Sequence, residues 1–111
     1  MSIIRRSDIK VINKMLGLTE KQVENYEEIL KKEVTEDTPP AVVSTLESLV
    51  AVGSKLISLY TQLLDSCDEI NSKQYTFLSN EILRTEKNFV VLQGIYTKLM
   101  NCAVSETTEH R

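Results

Sequence analysis

The feature that most constrains this chain is an unbroken alternation of three- and four-residue steps between apolar positions in its middle. The positions of this seam are Val42, Leu46, Leu49, Gly53, Leu56, Tyr60, Leu63, Cys67 and Ile70. Apolar residues at this spacing line one face of an α-helix, and four repeats are typical of helices packed along their length. The pattern predicts one long helix from Pro39 to about Ile70, with both prolines of the chain in its first turn, where proline is tolerated.

A second long helix is predicted after a break of a few residues. Asn71 is a favourable helix cap, and Gln74 stands three residues later, which is the spacing of a capping box. The following seam predicts a helix from about residue 72 to 104 and consists of Tyr75, Leu78, Ile82, Thr85, Phe89, Leu92, Tyr96, Leu99 and Ala103. Two long helices joined by so short a break form an antiparallel hairpin.

The amino-terminal part reads as two short helices. Ser7 is placed to cap the first, and Gly17 is placed to end it in a left-handed conformation. Thr19 and Gln22 have the spacing of a capping box for the second, which should end near Val34.

The apolar stripe on the first long helix is too wide for one partner helix. A second apolar row runs beside the seam and consists of Val43, Val50, Ile57 and Leu64. A helix packed on one partner needs an apolar arc of little more than about 100°. Either the amino-terminal helices or other copies of the chain cover the remainder. Because those helices are predicted to be short, we favour other copies, with this second row and Gly53 as the contacts.

The expected fold class is therefore all-α, in three parts. Residues 1–37 form short helices with a possible DNA contact, and residues 38–104 form a long antiparallel coiled-coil helical hairpin that oligomerises. The polar residues 105–111 are expected to be a disordered tail.

Composition argues against catalysis and metal binding. The 111 residues include one histidine, His110, near the end of the chain, and two cysteines, Cys67 and Cys102, which we expect to be small buried side chains. Adjacent carboxylates on a helix point about 100° apart and form no acid–base dyad. The three isolated glycines form no phosphate loop. We predict no enzymatic activity, no cofactor and no metal.

Neither a signal peptide nor a run of 18 apolar residues is recognisable in the sequence. We therefore expect no membrane partner and a cytoplasmic location.

Charge is distributed unevenly, although the net charge is only −3. Residues 1–19 contain four cations and one carboxylate, a balance of +3, whereas residues 20–37 contain seven acids and three lysines, a balance of −4. One such basic patch can be a solvated helix end, but repeated in an oligomer it can contact many phosphates. A recognition helix should not be acidic, so the predicted DNA contacts lie in the first helix and the arm before it: Arg5, Arg6, Lys10 and Lys14.

One stretch of the sequence resembles a known family. Its residues are Ile12, Asn13, Lys14, Met15, Leu16, Gly17, Leu18 and Thr19. They resemble an amino-terminal stretch of the small terminase subunits of T-even-like tailed bacteriophages. The resemblance continues in register through a helix containing Tyr26, the pair Val42 and Val43, a break near Ser72, and a second long helix.

The resemblance implies a non-catalytic viral DNA-packaging protein that acts in the cytoplasm of the host cell. Such proteins form rings through their helical hairpins, recognise or hold double-stranded viral DNA, and regulate the ATPase and nuclease of the large terminase subunit. Two other functions stay open. The chain can be a structural coiled-coil subunit of a cellular assembly with no nucleic-acid role, or a helix-turn-helix regulator dimerised by its hairpin.

Overall fold

The structure is a computed structural model that describes the backbone of residues 4–109 and the side chains of residues 4–102. It contains three helices: α1 (Arg6–Lys32), α2 (Pro40–Asp65) and α3 (Ser72–Glu109). Over the described residues there is no β-strand, which confirms the all-α prediction.

Helix α2 follows the predicted seam. Pro39 is its N-cap, and Pro40 is its first helical residue. The buried seam residues of α2 are Val42, Leu46, Leu49, Gly53, Leu56, Tyr60 and Leu63. The helix ends at Asp65, earlier than predicted, where the Ser66 hydroxyl donates a hydrogen bond to the Gln62 carbonyl at 2.7 Å. Ile70 stays buried because the chain folds back at this point, with its N–H donating to the Ser66 carbonyl at 2.8 Å.

Helix α3 begins with the predicted capping box. The Gln74 N–H donates to Asn71 Oδ1 at 2.9 Å, and the Asn71 N–H donates to Gln74 Oε1 at 3.3 Å. The helix continues to Glu109, beyond its predicted end near residue 104. The expected disordered tail is therefore helical in its backbone as far as Glu109, while His110 and Arg111 lie outside the described residues.

Helix α1 is one continuous helix of 27 residues, so the prediction of two short helices is wrong. Gly17 has no positive φ and does not end a helix. Thr19 caps nothing; it is buried in mid-helix, where its hydroxyl donates to the Met15 carbonyl at 2.8 Å. The helix-turn-helix interpretation required a turn at Gly17, and α1 has no turn there.

The continuity of α1 follows from its packing. An apolar stripe passes through the Gly17 region without a change of register, and it consists of Ile9, Ile12, Leu16, Thr19 and Val23. A glycine inside a helix costs about 1 kcal/mol. Burying one large aliphatic side chain contributes about 1.5–3 kcal/mol, so the packed stripe outweighs the glycine.

Helix α2 lies between the other two helices. Val23 of α1 and Phe89 of α3 both approach Gly53 at its middle. The start of α2 shares a cavity with the end of α3, around Leu46 and Tyr96, while the end of α2 lies near Phe77 at the start of α3. Helix α3 therefore returns along α2, and the whole molecule measures 65 × 21 × 20 Å. The coiled-coil form of this pair and its oligomerisation stay predictions.

Helix α1 also lies against the side of α2 that carries the second apolar row. Val43, Val50, Ile57 and Leu64 are half-buried within the single chain. At 27 residues, α1 is longer than expected and reaches this side of α2 at Ile57, while the row as a whole stays partly exposed. Gly53 is buried between side chains of its own chain, which corrects its assignment as a contact between copies.

Tyr26 connects the outer helices α1 and α3. Its ring packs edge-to-face on Phe89 at a centroid distance of 6.3 Å and on Tyr96 at 6.0 Å. Its hydroxyl accepts a hydrogen bond from Gln93 Nε2 at 3.2 Å.

By length and composition alone, α2 could cross a membrane. Its most apolar window of 18 residues has a mean hydropathy of 1.5 and carries at most two charges. We did not predict this candidate span from the sequence, because serines and threonines interrupt its apolar residues. The core helix of a soluble protein passes the same test, and α2 is the helix on which the two others pack.

Candidate nucleic-acid interface

The four predicted DNA contacts lie at one end of α1. Arg5 precedes the helix, and Arg6, Lys10 and Lys14 follow at steps of four residues, or about 6 Å along the axis. All four are exposed. The Arg5 side chain is 86% exposed, and its Nε lies 3.9 Å from Asp8 Oδ2. Among the described residues, the other three cations have no carboxylate within 4 Å.

The continuous helix is what aligns these cations. Steps of four residues keep side chains on one face of a helix, turned away from the stripe that packs on α2. Sequence reasoning missed Lys21, because a helix ending at Gly17 would have separated it from the patch. Lys21 stands seven residues after Lys14 and shares its face. The seven-residue spacing was the signal that could have found it.

A row of exposed carboxylates lies in the second half of α1. Glu20, Glu24 and Glu28 also follow at steps of four residues, and all three are exposed. A recess of about 340 Å³ beside α2 is lined by Glu20, Val23, Glu24, Glu27, Ser54 and Ile57. The exposed surface of α1 is thus basic at its start, carries a row of carboxylates after Gly17, and is basic again in its last turn at Lys31 and Lys32. An anionic partner would be attracted most strongly to the start of α1, where cations outnumber carboxylates.

An apolar groove of about 340 Å³ lies between α1 and α3, with α2 as its floor. Tyr60 lies in this floor and donates a hydrogen bond to Glu86 Oε1. Burial, and then the hydrogen bond and the charge of Glu86, raise the pKa of the Tyr60 hydroxyl well above its usual value of 10.0. Tyr60 is therefore a neutral hydrogen-bond donor in the folded protein. Exposed Val11 and Leu83 stand on opposite walls of the groove.

A cavity of about 670 Å³ forms an open recess at the turn between α2 and α3. Its walls are mainly apolar and include Ile70, Leu78 and the exposed ring of Phe77. Lys73 and Asp65 stand at its edge. This arrangement offers an apolar surface and brings no set of catalytic groups together.

The cysteines and acidic groups of the described chain form no recognisable metal centre. Within residues 4–102, no group of three or more His, Cys, Asp or Glu side chains could hold a metal ion. Cys67 is half-buried against the core, but Cys102 is exposed, so the expectation that both are buried is wrong for Cys102. His110 lies outside the described residues.

Taken together, fold and surface define an elongated helical protein whose amino-terminal helix begins with a row of exposed cations. No protein-family model matches this chain, and no curated protein or solved structure is significantly similar to it.

Proposed function

We propose that this chain is a non-catalytic DNA-packaging protein, the small subunit of a phage terminase. In this proposal the basic half of α1 binds double-stranded DNA. Copies of the chain assemble into a ring, and the ring regulates the large terminase subunit in the cytoplasm of the host cell.

The observation that carries the proposal is the row of exposed cations at the start of α1. Arg6, Lys10 and Lys14 repel one another at steps of four residues, where like charges cost about 0.2–0.5 kcal/mol per pair. Cations near a helix amino terminus also oppose the helix dipole. The row therefore weakens the helix that carries it, and an anion bound along it would remove that cost. The phosphates of a DNA backbone are anions of this kind.

Assembly is needed to make such binding strong. Four cations in one chain neutralise at most about four phosphates, which supports only weak, strongly salt-dependent binding. Several copies held together add their contacts at a high effective concentration. The half-buried row on α2, Val43, Val50, Ile57 and Leu64, stays our predicted contribution to the contacts between copies.

The acidic half of α1 favours a second candidate function. Glu20, Glu24 and Glu28 lie on the same helix as the cations and would repel a duplex that followed α1 beyond its first half. A structural subunit of a cellular assembly, with no nucleic-acid role, would use both halves against protein partners.

The test measures binding of a fluorescent DNA duplex at several salt concentrations between about 0.05 and 0.2 M. The variant is Lys10→Gln/Lys14→Gln. The matched control is Lys31→Gln/Lys32→Gln, which removes the same charge from exposed lysines at the other end of α1.

We expect Lys10→Gln/Lys14→Gln to weaken binding and to lower the slope of log K against log salt by about 2 for each copy in contact with the duplex, because each copy loses two phosphate contacts. The control should keep the slope of the unmodified chain. Absence of binding at low salt, by a chain shown by native mass spectrometry to be assembled, would favour the structural subunit. Electron-microscope images then test the ring, since a dimer or trimer would contradict it.

A further inference from the structure

The Tyr60 groove is the open space between α1 and α3, with Tyr60 and Leu63 of α2 as its floor. In the part of the chain that the structure describes, no Cα atom of α1 comes within 8 Å of a Cα atom of α3. Helices in direct contact have axes about 8–10 Å apart, which brings their nearest Cα atoms to about 4–6 Å. The two outer helices are therefore not packed on each other, and one side of α2 between them stays open.

Exposed apolar side chains follow both walls of the Tyr60 groove. On α1, Val11, Met15 and Leu18 stand at steps of four and three residues and are 60%, 38% and 47% exposed. On α3, Leu83 and Val90 stand seven residues apart and are 55% and 64% exposed. Such steps keep each set on one face of its helix. Two apolar rows with a floor between them suit an amphipathic helix with anchors at steps of three and four residues.

Lysines stand along the outer edge of each wall. Lys14 and Lys21 are three or four residues from members of the α1 row, and Lys87 is three or four residues from both members of the α3 row. All three lysines are exposed. Among the described residues, none of them has a carboxylate within 4 Å. Both edges of the groove are therefore cationic.

The nearby carboxylates lie away from these edges. Glu20 and Glu24 line the recess on the other side of α1. Glu86 lies inside the groove, where it accepts the hydrogen bond of Tyr60, and Asp8 lies at the start of the groove, before the α1 row. An apolar groove with cationic outer edges is complementary to a helix whose apolar stripe is flanked by carboxylates.

A second copy of this chain matches the groove poorly. Two copies that met through their grooves would set lysine edges against lysine edges, and like charges across an interface cost free energy. The carboxylates that begin at Glu20 stand on α1, whose own apolar stripe, including Val23, is already packed on α2. The occupant that the charges favour is therefore a helix of a different protein.

We infer that the Tyr60 groove binds an amphipathic helix of a partner protein, with carboxylates on both flanks of its apolar stripe. From Asp8 to Tyr26, where α1 and α3 are connected, there are 18 residues of helix, or about 27 Å. A partner helix of about five turns fills this length. The inference does not rest on the proposed binding of DNA.

The test uses two synthetic helices of about 18 residues, labelled with fluorescein. Both have leucine at the a and d positions of the heptad. The glutamate probe has glutamate at the flanking e and g positions, and the lysine probe has lysine there. Fluorescence anisotropy with the full chain, at about 0.15 M salt, measures the dissociation constant of each. The assay contains no DNA, so its outcome is separate from that of the proposed function.

We expect the glutamate probe to bind with a dissociation constant on the order of 10 μM or lower, and the lysine probe to bind at least about tenfold more weakly. A folded chain that does not bind the glutamate probe would overturn the inference.

Leu83→Asp tests the apolar wall and should weaken binding of the glutamate probe at least about tenfold. Val91→Asp is the matched control, because Val91 is 61% exposed on the same helix but projects about 100° away from Val90. It should change binding by less than about threefold. Val11→Asp repeats the test on the α1 wall, and circular dichroism checks that each variant is folded. Equal binding by Leu83→Asp and Val91→Asp would contradict docking in the groove.

Lys14→Glu/Lys87→Glu tests the edges and should reverse the preference, so that the lysine probe binds more tightly than the glutamate probe. Lys31→Glu/Lys98→Glu makes the same change of charge on the same two helices beyond the Tyr26 contacts and should keep the preference. A reversal in both double variants would reduce the effect to net charge and overturn the inference. Self-association in sedimentation equilibrium that Leu83→Asp abolishes and Val91→Asp keeps would assign the groove to a second copy, which also overturns it.

Discussion

Gly53 is the position at which the smallest change should disturb the packing of all three helices. A Cβ atom added there would lie 3.0 Å from Phe89 Cε1 and closer still to Val23 Cγ2, nearer than real Cβ atoms are found. The Val23 side chain is held at one preferred χ1 in a helix and has little freedom to turn away. Gly53→Ala should therefore push α1 and α3 away from α2.

The size of the effect is the difference between two opposing contributions. Alanine is a better helix former than glycine, which stabilises α2 by about 0.5–1 kcal/mol. Overpacking a filled core costs about 1–3 kcal/mol. Because both helical neighbours of Gly53 are affected, we expect Gly53→Ala to lower the free energy of unfolding by about 1–2 kcal/mol. The Tm should fall by roughly 5–10 °C.

Urea and thermal unfolding followed by circular dichroism measure this change. Gly94→Ala is the control, because an added Cβ meets nothing within 4 Å, and it should raise stability by about 0.5–1 kcal/mol. In a double-mutant cycle, Gly53→Ala and Val23→Ala should cost less together than the sum of the separate changes. A Gly53→Ala chain as stable as Gly94→Ala would refute the packing argument.

Two further predictions concern hydrogen bonds at the ends and in the middle of the bundle. Because the pKa of Tyr60 is raised in the folded state, unfolded Tyr60 loses its proton first as the pH rises above 10.0, so stability should fall there. Tyr60→Phe should reduce that fall in Tm measured between pH 8 and 11, and an unchanged pH profile would contradict the buried bond to Glu86. Asn71→Ala should lower the free energy of unfolding in urea by about 1 kcal/mol, since the Gln74 N–H loses its acceptor. Asn80→Ala, an exposed change inside α3, is the control, and an equal effect of the two would refute the role of the cap.

The parts of the fold that were predictable from sequence are those that depend on local chemistry and period. The seam of α2, the prolines at its start and the capping box of Asn71 and Gln74 all follow from residues close together in the chain. Gly17 was misread because a glycine fits both a helix end and a helix interior. The choice between them depends on whether the flanking apolar residues are buried against α2, which is a tertiary property.

The same error affected the candidate site. The identity of the cations was visible in the sequence, but their alignment on one face requires that α1 continue beyond Gly17. Lys21 joins the basic row, although Glu20 precedes it and Glu24 follows it on the same helix. The position of α1 beside Ile57 is a tertiary property as well, which the sequence did not show.

Tyr26 has a consequence for how the molecule opens. It connects α1 to α3 near one end of the bundle, whereas the opposite halves of these helices are separated by the groove above Tyr60. Local opening should therefore spread from the basic end of α1 and stop at Tyr26. Amide hydrogens near Lys10 should then exchange with solvent faster than those near Val23. We therefore expect the end of α1 that carries the cations to open before the end that Tyr26 connects to α3.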